Sequence, residues 1–197
     1  MKIIEGIKNV LKKIFRKGIN AIKYMIPVYL LWRIDSAEQG LEAAVKENFP
    51  VEFHPVRSRK IDEIIVHCTA TPEGRRVTVE DLRHQHVDIN GWDDVGYHYV
   101  VYADGTVAEG RPVEKAGAHC RGHNENTIGV AYTGGLLRDG KTPADTRTPE
   151  QRKALEELLG KLVKIYGIRK ISSHSDYAAK ACPCFDASAE YRFLLPR

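Results

Sequence analysis

The stretch IDEIIVH (61–67) is where the chain takes on the pattern of a folded domain. Its run of β-branched apolar residues is typical of a strand buried inside a protein. The run ends on a histidine, His67, which is a side chain capable of chemistry at the end of a buried element. We therefore take 61–67 as the first strand of the domain and interpret the rest of the chain outward from it.

The sequence downstream alternates between helix and strand signals. The predicted elements are helix 78–89, strand 97–102, strand 106–109, strand 128–133, helix 149–166, strand 170–173 and helix 186–194. An Asp-Gly turn joins the two hairpin strands. Helix 149–166 has the most complete signals, because Thr148 and Gln151 form a capping box and Gly167 ends the helix. This order predicts a single α/β domain with a mixed central β-sheet flanked by helices.

The first 50 residues differ in composition from this domain, which we place at 51–197. Residues 1–34 carry eight basic side chains and one acid, a net charge of +7, whereas the other 163 residues sum to −3. Residues 1–17 have the pattern of a basic amphipathic helix. The apolar stretch 25–32 is far shorter than the ~20 residues that cross a bilayer. We expect a helical extension that lies on an anionic membrane surface, acts as an atypical export signal or packs on the domain, and the sequence leaves these alternatives open.

The overall composition is that of a globular protein, with 43% hydrophobic and 28% charged residues. The net charge of +4 comes from the N-terminal segment, so the domain lacks the basic surface that general nucleic-acid binding requires. We expect no nucleic-acid partner. Four cysteines in 197 residues are also too few for a disulfide scaffold, so their spacing has to be interpreted chemically.

Three side chains at the ends of predicted strands suggest a metal site. His67 ends the first strand, His174 follows strand 170–173, and Cys182 lies eight residues further on. Two imidazoles and one thiolate suit Zn²⁺, and three protein ligands leave a fourth position for water, as in catalytic zinc sites. The chain has eight histidines, and a histidine at a strand end is often an ordinary polar residue. Spacing alone does not separate these two interpretations.

Four motifs together resemble the amidase-2 family of N-acetylmuramoyl-L-alanine amidases, which includes amidase-type phage lysozymes and animal peptidoglycan recognition proteins. The motifs are VHCTAT (66–71), GWDDVGYHYVVYADGTV (91–107), GAHCRGHNENTIGVAYTGG (117–135) and HSDYAAKACPCFD (174–186). They occur in the order and spacing of the family, and the resemblance covers residues 61–191. Four motifs in sequence are far more specific than any one of them.

The resemblance implies a function and a role for individual residues. It implies zinc ligands at His67, His174 and Cys182, catalytic side chains at Tyr97 and Lys180, and substrate contacts from His119 and Asn124. The implied reaction is zinc-dependent hydrolysis of the peptidoglycan amide bond between N-acetylmuramic acid and L-alanine. Zinc would supply a hydroxide at neutral pH, Lys180 would stabilise the oxyanion, and Tyr97 would help to move a proton.

Several alternatives accompany this hypothesis. Some relatives bind peptidoglycan without cleaving it, but many of these lack the cysteine ligand that this chain retains. The segment 1–50 is also suited to regulating the amidase. The substrate lies in the periplasm or cell wall, and a lytic, secreted or membrane-associated enzyme would each meet it there.

Some histidines and cysteines have simpler interpretations. His98 follows Tyr97 on a predicted strand, so it should point to the opposite face and be structural. His86 should hold the turn before Trp92. Cys184 stands where relatives often have serine, and we favour a small inert side chain over a disulfide or a competing ligand. A bridge between Cys68 and Cys120 is the other arrangement that the sequence leaves open.

Overall fold

The computed structural model describes residues 51, 53, 55, 56 and 58–196. The predictions for the segment 1–50 lie outside the described residues. Within the described part of the chain, no helix is both long enough and apolar enough to cross a membrane.

The elements follow the chain in an alternating order. The strands are β1 (Glu63–Cys68), β2 (Thr71–Pro72), β3 (Tyr99–Val101), β4 (Val107–Glu109), β5 (Thr127–Tyr132), β6 (Gly135–Leu136) and β7 (Lys170–Ser173). The helices are α1 (Val79–Arg83), α2 (Pro149–Tyr166) and α3 (Ala187–Glu190), with a π-helical segment at His84–Ile89 and 3₁₀ turns at His174–Asp176 and Arg192–Leu194.

The main sheet has five strands in the order β4-β3-β5-β1-β7. Strands β3, β5, β1 and β7 are parallel, and β4 pairs antiparallel with β3 through the hairpin. This is the mixed central sheet that the sequence predicts. A second parallel pair, β2 with β6, joins only two residues from each strand.

Helix α2 covers one face of the sheet and forms the core with it. Thr148 accepts a hydrogen bond from the Gln151 N–H at 3.0 Å, the Gln151 side chain accepts one from the Thr148 N–H at 3.1 Å, and Gly167 ends the helix with φ 65°. Leu158 is among the fully buried leucines of its inner face. Truncating it to alanine is expected to cost about 2–5 kcal/mol of stability.

The alternation of side chains along β1 determines on which face of the sheet the site lies. Ile64 and Val66 join the core beneath α2, so His67 points to the opposite face of the sheet. Val66 pairs with Ser173, the last residue of β7, and the residues that follow this pair in the chain are His67 and His174. Parallel pairing therefore brings the two histidines to the same edge.

Three predicted elements differ clearly from the observed ones. The predicted helix 78–89 is an α-helix only over Val79–Arg83 and continues as the π-helical segment His84–Ile89. Strand β3 begins at Tyr99 rather than at residue 97. The Gly129 N–H donates to Nδ1 of the His98 ring at 2.9 Å, so it is not available for a backbone hydrogen bond that would extend the strand. The predicted C-terminal helix is interrupted at Tyr191. This residue is buried, and its hydroxyl accepts a hydrogen bond from Arg147 at 2.8 Å. These tertiary contacts outweigh the local preference for one continuous helix.

Candidate metal centre

His67, His174 and Cys182 converge on the face of the sheet opposite α2. Nδ1 of His67 lies 3.1 Å from Nδ1 of His174 and 3.8 Å from Sγ of Cys182. The potential ligand atoms of all three residues lie within 4.8 Å of one another. The three residues that the sequence nominates as metal ligands are thus in one cluster.

Backbone contacts around the loop 174–182 hold Cys182 against the end of β1. The Ser175 N–H donates to the Cys182 carbonyl at 2.8 Å. The Cys68 N–H donates to Sγ of Cys182 at 3.3 Å, which attaches the sulfur to the strand that carries His67. The Tyr132 hydroxyl donates to the Pro183 carbonyl at 2.8 Å and anchors the following residue to β5.

The electrostatic environment favours the protonation states that a cation requires. Burial lowers the pKa of His67 well below its usual value, and burial together with the Lys180 charge lowers the pKa of His174. Hydrogen bonding from the Cys68 thiol, helped by the Cys68 N–H and the Lys180 charge, lowers the pKa of Cys182 against the opposing effect of burial. Neutral imidazoles and a thiolate are the forms that bind metal.

The donor set fits zinc. Ideal tetrahedral bond lengths separate two nitrogen ligands by about 3.3 Å, and a nitrogen from a sulfur by about 3.6 Å. The corresponding separations here are 3.1 Å and 3.8 Å. Mixed nitrogen and sulfur ligation also suits this borderline-soft ion better than magnesium or calcium, which prefer oxygen.

Tyr97 lies beside the cluster. Its ring centroid is 5.3 Å from that of His67, and its carbonyl accepts the Arg111 N–H at 2.8 Å. The Arg111 guanidinium in turn donates to the carbonyls of Val95 and Ala116, both at 2.9 Å, which fixes the chain on each side. Burial raises the pKa of Tyr97, so its phenol remains a proton donor at neutral pH.

Lys180 lies on the exposed side of the cluster. Its charge contributes to the lowered pKa values of His67, His174 and Cys182, which puts the ammonium group within electrostatic reach of all three. Tyr97 therefore lies next to a potential ligand, and the charge of Lys180 acts on all three potential ligands. Their catalytic roles stay predictions.

His119 and Asn124 contact protein groups close to the cluster. His119 is only 7% exposed, and its Nδ1 lies 3.1 Å from Nε2 of His67. The side-chain oxygen of Asn124 accepts the N–H groups of His119 at 3.0 Å and Cys120 at 2.9 Å, so it holds the loop on which His119 lies. Substrate contact by these two residues stays a prediction.

Thr127 is the residue of this centre that sequence reasoning missed. Its hydroxyl oxygen lies 3.3 Å from Nε2 of His119. The signal was the alternation along β5, which places Thr127 and Gly129 on the same face of the sheet as His67.

The neighbouring histidines bond to backbone groups, as predicted, but the prediction that His98 points away from the site is wrong. Its ring centroid lies 5.6 Å from that of His119, because strand β3 begins only at Tyr99 and Tyr97 does not alternate with His98 along it. Nδ1 of buried His98 accepts the Gly129 N–H, and Nε2 lies 3.0 Å from the Lys115 carbonyl. His86 accepts the Gly96 N–H at 3.0 Å and stacks on Trp92 with ring centroids 4.6 Å apart. Both side chains hold the segment that leads to Tyr97.

All four cysteines are free thiols, so Cys68 and Cys120 form no bridge in the described chain. Sγ of Cys184 lies 3.3 Å from the Gly135 carbonyl oxygen and 2.6 Å from that of Ala181, and its single proton can donate to one of them. These contacts agree with the interpretation of Cys184 as a small packing side chain.

Comparison with known proteins identifies the family that the sequence motifs resemble. The family model Amidase_2, described as N-acetylmuramoyl-L-alanine amidase, matches residues 57–185. The endolysin of Enterobacteria phage T3 is 41% identical over 136 residues, which cover 69% of this chain and 87% of that protein. The endolysin of Escherichia phage T7 is 42% identical over 125 residues, covering 64% and 82%.

Solved structures agree on the fold. The N-acetylmuramoyl-L-alanine amidase LysC from Clostridium intestinale URNW superposes with a TM-score of 0.59 at 24% identity, covering 74% of this chain and 96% of that chain. The family model spans well over half of the sequence and includes all three potential ligands. The chain belongs to the Amidase_2 family of N-acetylmuramoyl-L-alanine amidases.

Proposed function

We propose that the protein is a zinc-dependent peptidoglycan hydrolase that cleaves the amide bond between N-acetylmuramic acid and the L-alanine of the stem peptide. The observation that carries the proposal is the convergence of His67, His174 and Cys182, with Tyr97 and Lys180 beside them. Family membership supports the choice of bond. Binding without hydrolysis would not require this intact set.

The three proposed ligands offer two kinds of donor atom to the ion. His67 and His174 offer neutral nitrogens, and Cys182 offers a sulfur whose pKa is lowered by its Cys68 contacts. When bound, zinc supplies a Lewis acid and a water of lowered pKa at neutral pH. Three protein ligands leave a coordination position open for chemistry.

Tyr97 and Lys180 supply the remaining groups that amide hydrolysis needs. Negative charge develops on the scissile carbonyl oxygen, and the role that we assign to the Lys180 ammonium is to stabilise it. The departing amine has to gain a proton, and the role that we assign to the protonated phenol of Tyr97 is to donate or relay one. The two side chains thus have separate roles, one in charge stabilisation and one in proton movement.

The substrate determines where the enzyme acts. Peptidoglycan lies outside the cytoplasmic membrane, so we place the activity in the periplasm or cell wall. The endolysins of phages T3 and T7 are the relatives that favour a lytic role. Attachment of residues 1–34 to a membrane surface is a separate proposal that concerns residues outside the described part.

Hydrolysis of purified peptidoglycan by chelated and zinc-restored protein tests the proposal. Cys182→Ser should lose both zinc and turnover. Cys184→Ser makes the same chemical change two residues away and should keep both, since Cys184 is not one of the three clustered potential ligands. Turnover that survives removal of all metal would contradict zinc dependence. Zinc binding without turnover would indicate a recognition module, or inhibition by residues 1–50 if deleting them restores cleavage.

A further inference from the structure

We propose that His119 and Thr127 are positioning residues that fix the tautomer of His67, so that its Nδ1 presents a lone pair to the metal. The proposal rests on the zinc site proposed above and adds the groups that prepare it. It follows from three consecutive hydrogen bonds on the face of the sheet opposite α2, each of which determines where the next proton lies.

The chain of contacts begins at the Thr127 hydroxyl. Its oxygen lies 2.6 Å from the His123 carbonyl, which can only accept a hydrogen bond. The single hydroxyl proton of Thr127 is therefore donated to that carbonyl. What Thr127 offers to Nε2 of His119, 3.3 Å away, is a lone pair, so His119 must donate from Nε2.

The second step passes through the His119 ring. A neutral imidazole that donates from one nitrogen accepts at the other. With the proton on Nε2, Nδ1 of His119 is an acceptor, and it lies 3.1 Å from Nε2 of His67. His67 therefore carries its proton on Nε2.

The third step is the consequence for the metal site. With its proton on Nε2, His67 has a bare Nδ1, the atom that lies 3.1 Å from Nδ1 of His174 and 3.8 Å from Sγ of Cys182. The other tautomer would place a hydrogen where the ion has to bind. Partners of this kind orient ligand imidazoles and typically change metal affinity about 10- to 100-fold.

The sheet is built to accommodate this bridge. Thr127 pairs with Glu63, and Ala131 pairs with His67, so the Thr127 hydroxyl and the His67 ring lie four residues apart along neighbouring strands. The His119 ring spans the gap by lying over Gly129. A Cβ at Gly129 would overlap the ring carbons of His119. The absence of a side chain at this position leaves the space that the ring occupies.

Zinc affinity, measured by competition with a chromogenic chelator, tests the proposal in matched variants. Thr127→Val keeps the shape of the side chain but removes the acceptor, and should weaken zinc binding about 10-fold. Thr127→Ser restores the hydroxyl and should restore most of the affinity. His119→Asn places an oxygen where Nδ1 lies and should bind zinc more tightly than His119→Gln, whose amide reaches the Nε2 position instead.

Nitrogen-15 NMR of the full-length, zinc-free protein provides a readout that does not depend on catalysis. The wild type should show His67 protonated at Nε2, and Thr127→Val should shift the population toward the Nδ1–H tautomer. A wild-type His67 protonated at Nδ1, or unchanged zinc affinity in a folded Thr127→Val variant, would overturn the proposal. Failure of the wild type to cleave peptidoglycan would instead count against the proposed function and leave the tautomer result intact.

Discussion

Nδ1 of His67 and Nδ1 of His174 lie 3.1 Å apart at the ends of two neighbouring parallel strands. Without a metal, one of these nitrogens can donate a hydrogen bond to the other, and a bound cation would replace that contact with a metal bond to each nitrogen. Metal binding is thus coupled to the stability of the domain through β1 and β7.

Zinc should therefore raise the thermal stability of the protein. At a free zinc concentration about 1,000 times the dissociation constant, linkage predicts about 4 kcal/mol of added stability. For a domain of this size that corresponds to a rise in Tm of roughly 10 °C. Calorimetry with and without zinc measures the effect. His174→Ala should abolish the increment, and an equal increment in that variant would show that zinc binds elsewhere.

Tyr97→Phe should reduce turnover while leaving zinc binding intact. The substitution removes only the hydroxyl, and the contact of the ring with His67 remains. Loss of a general acid–base group typically costs about 10²–10⁴-fold in rate. Steady-state hydrolysis of a soluble muropeptide, together with zinc stoichiometry, checks the prediction. Full activity in a zinc-loaded Tyr97→Phe protein would remove the phenol from the reaction.

Lys180→Gln should reduce kcat more than it changes KM. The proposed role of its ammonium group is to stabilise charge that exists only in the transition state, and groups in this role are worth about 10²–10³-fold in kcat. Lys180→Arg keeps the charge and should retain more activity. Because Lys180 also helps to lower the pKa of Cys182, zinc occupancy has to be measured in parallel. An equal loss in the Gln and Arg variants would argue against a charge effect.

His98 should make the fold sensitive to mild acid. Burial, reinforced by the charges of Arg59 and Arg111 and opposed by the Lys115 carbonyl, lowers the pKa of His98 to about 4. Its value in the unfolded chain is ~6.5, so between these two values the unfolded state binds more protons. The stability that neutral His98 provides is complete above pH ~6.5 and falls by up to about 3 kcal/mol as the pH approaches 4.

The comparison that isolates His98 is His98→Asn, both proteins being studied zinc-free. The asparagine oxygen can still accept the Gly129 N–H, and the other buried histidines are present in both proteins. Chemical denaturation between pH 7 and pH 5 should show a steeper loss of stability in the wild type. Parallel pH profiles would mean that His98 titrates normally in the folded state.

The part of the fold that sequence predicts well is governed by local signals. Helix α2 begins and ends where predicted because Thr148, Gln151 and Gly167 act within one turn of its ends. The interruption at Tyr191 depends on Arg147, which is distant in sequence, so no local pattern announces it. The β2–β6 pair, with two residues in each strand, is too short to produce an alternation.

Some residues of the candidate site can likewise be identified from the sequence, whereas others depend on tertiary contacts. The resemblance to a known family identifies His67, His174 and Cys182, and the structure brings them together. The position of His119 beneath His67 depends on a loop folding over Gly129 of a different element. That is a contact between surfaces, and neither spacing nor periodicity encodes it. Alternation along β5 puts Thr127 on the same face of the sheet as His67, but its contact with His119 forms only when the loop lies over that face.

Mass spectrometry of the products from purified peptidoglycan tests the central claim most directly. Digestion by the zinc-loaded, full-length protein should release stem peptides that begin with a free L-alanine amine, and leave glycan strands with a free lactyl carboxyl group. Products that retain the bond between N-acetylmuramic acid and L-alanine, such as disaccharide-peptides or peptides cut further along the stem, would contradict the assignment of this bond as the substrate.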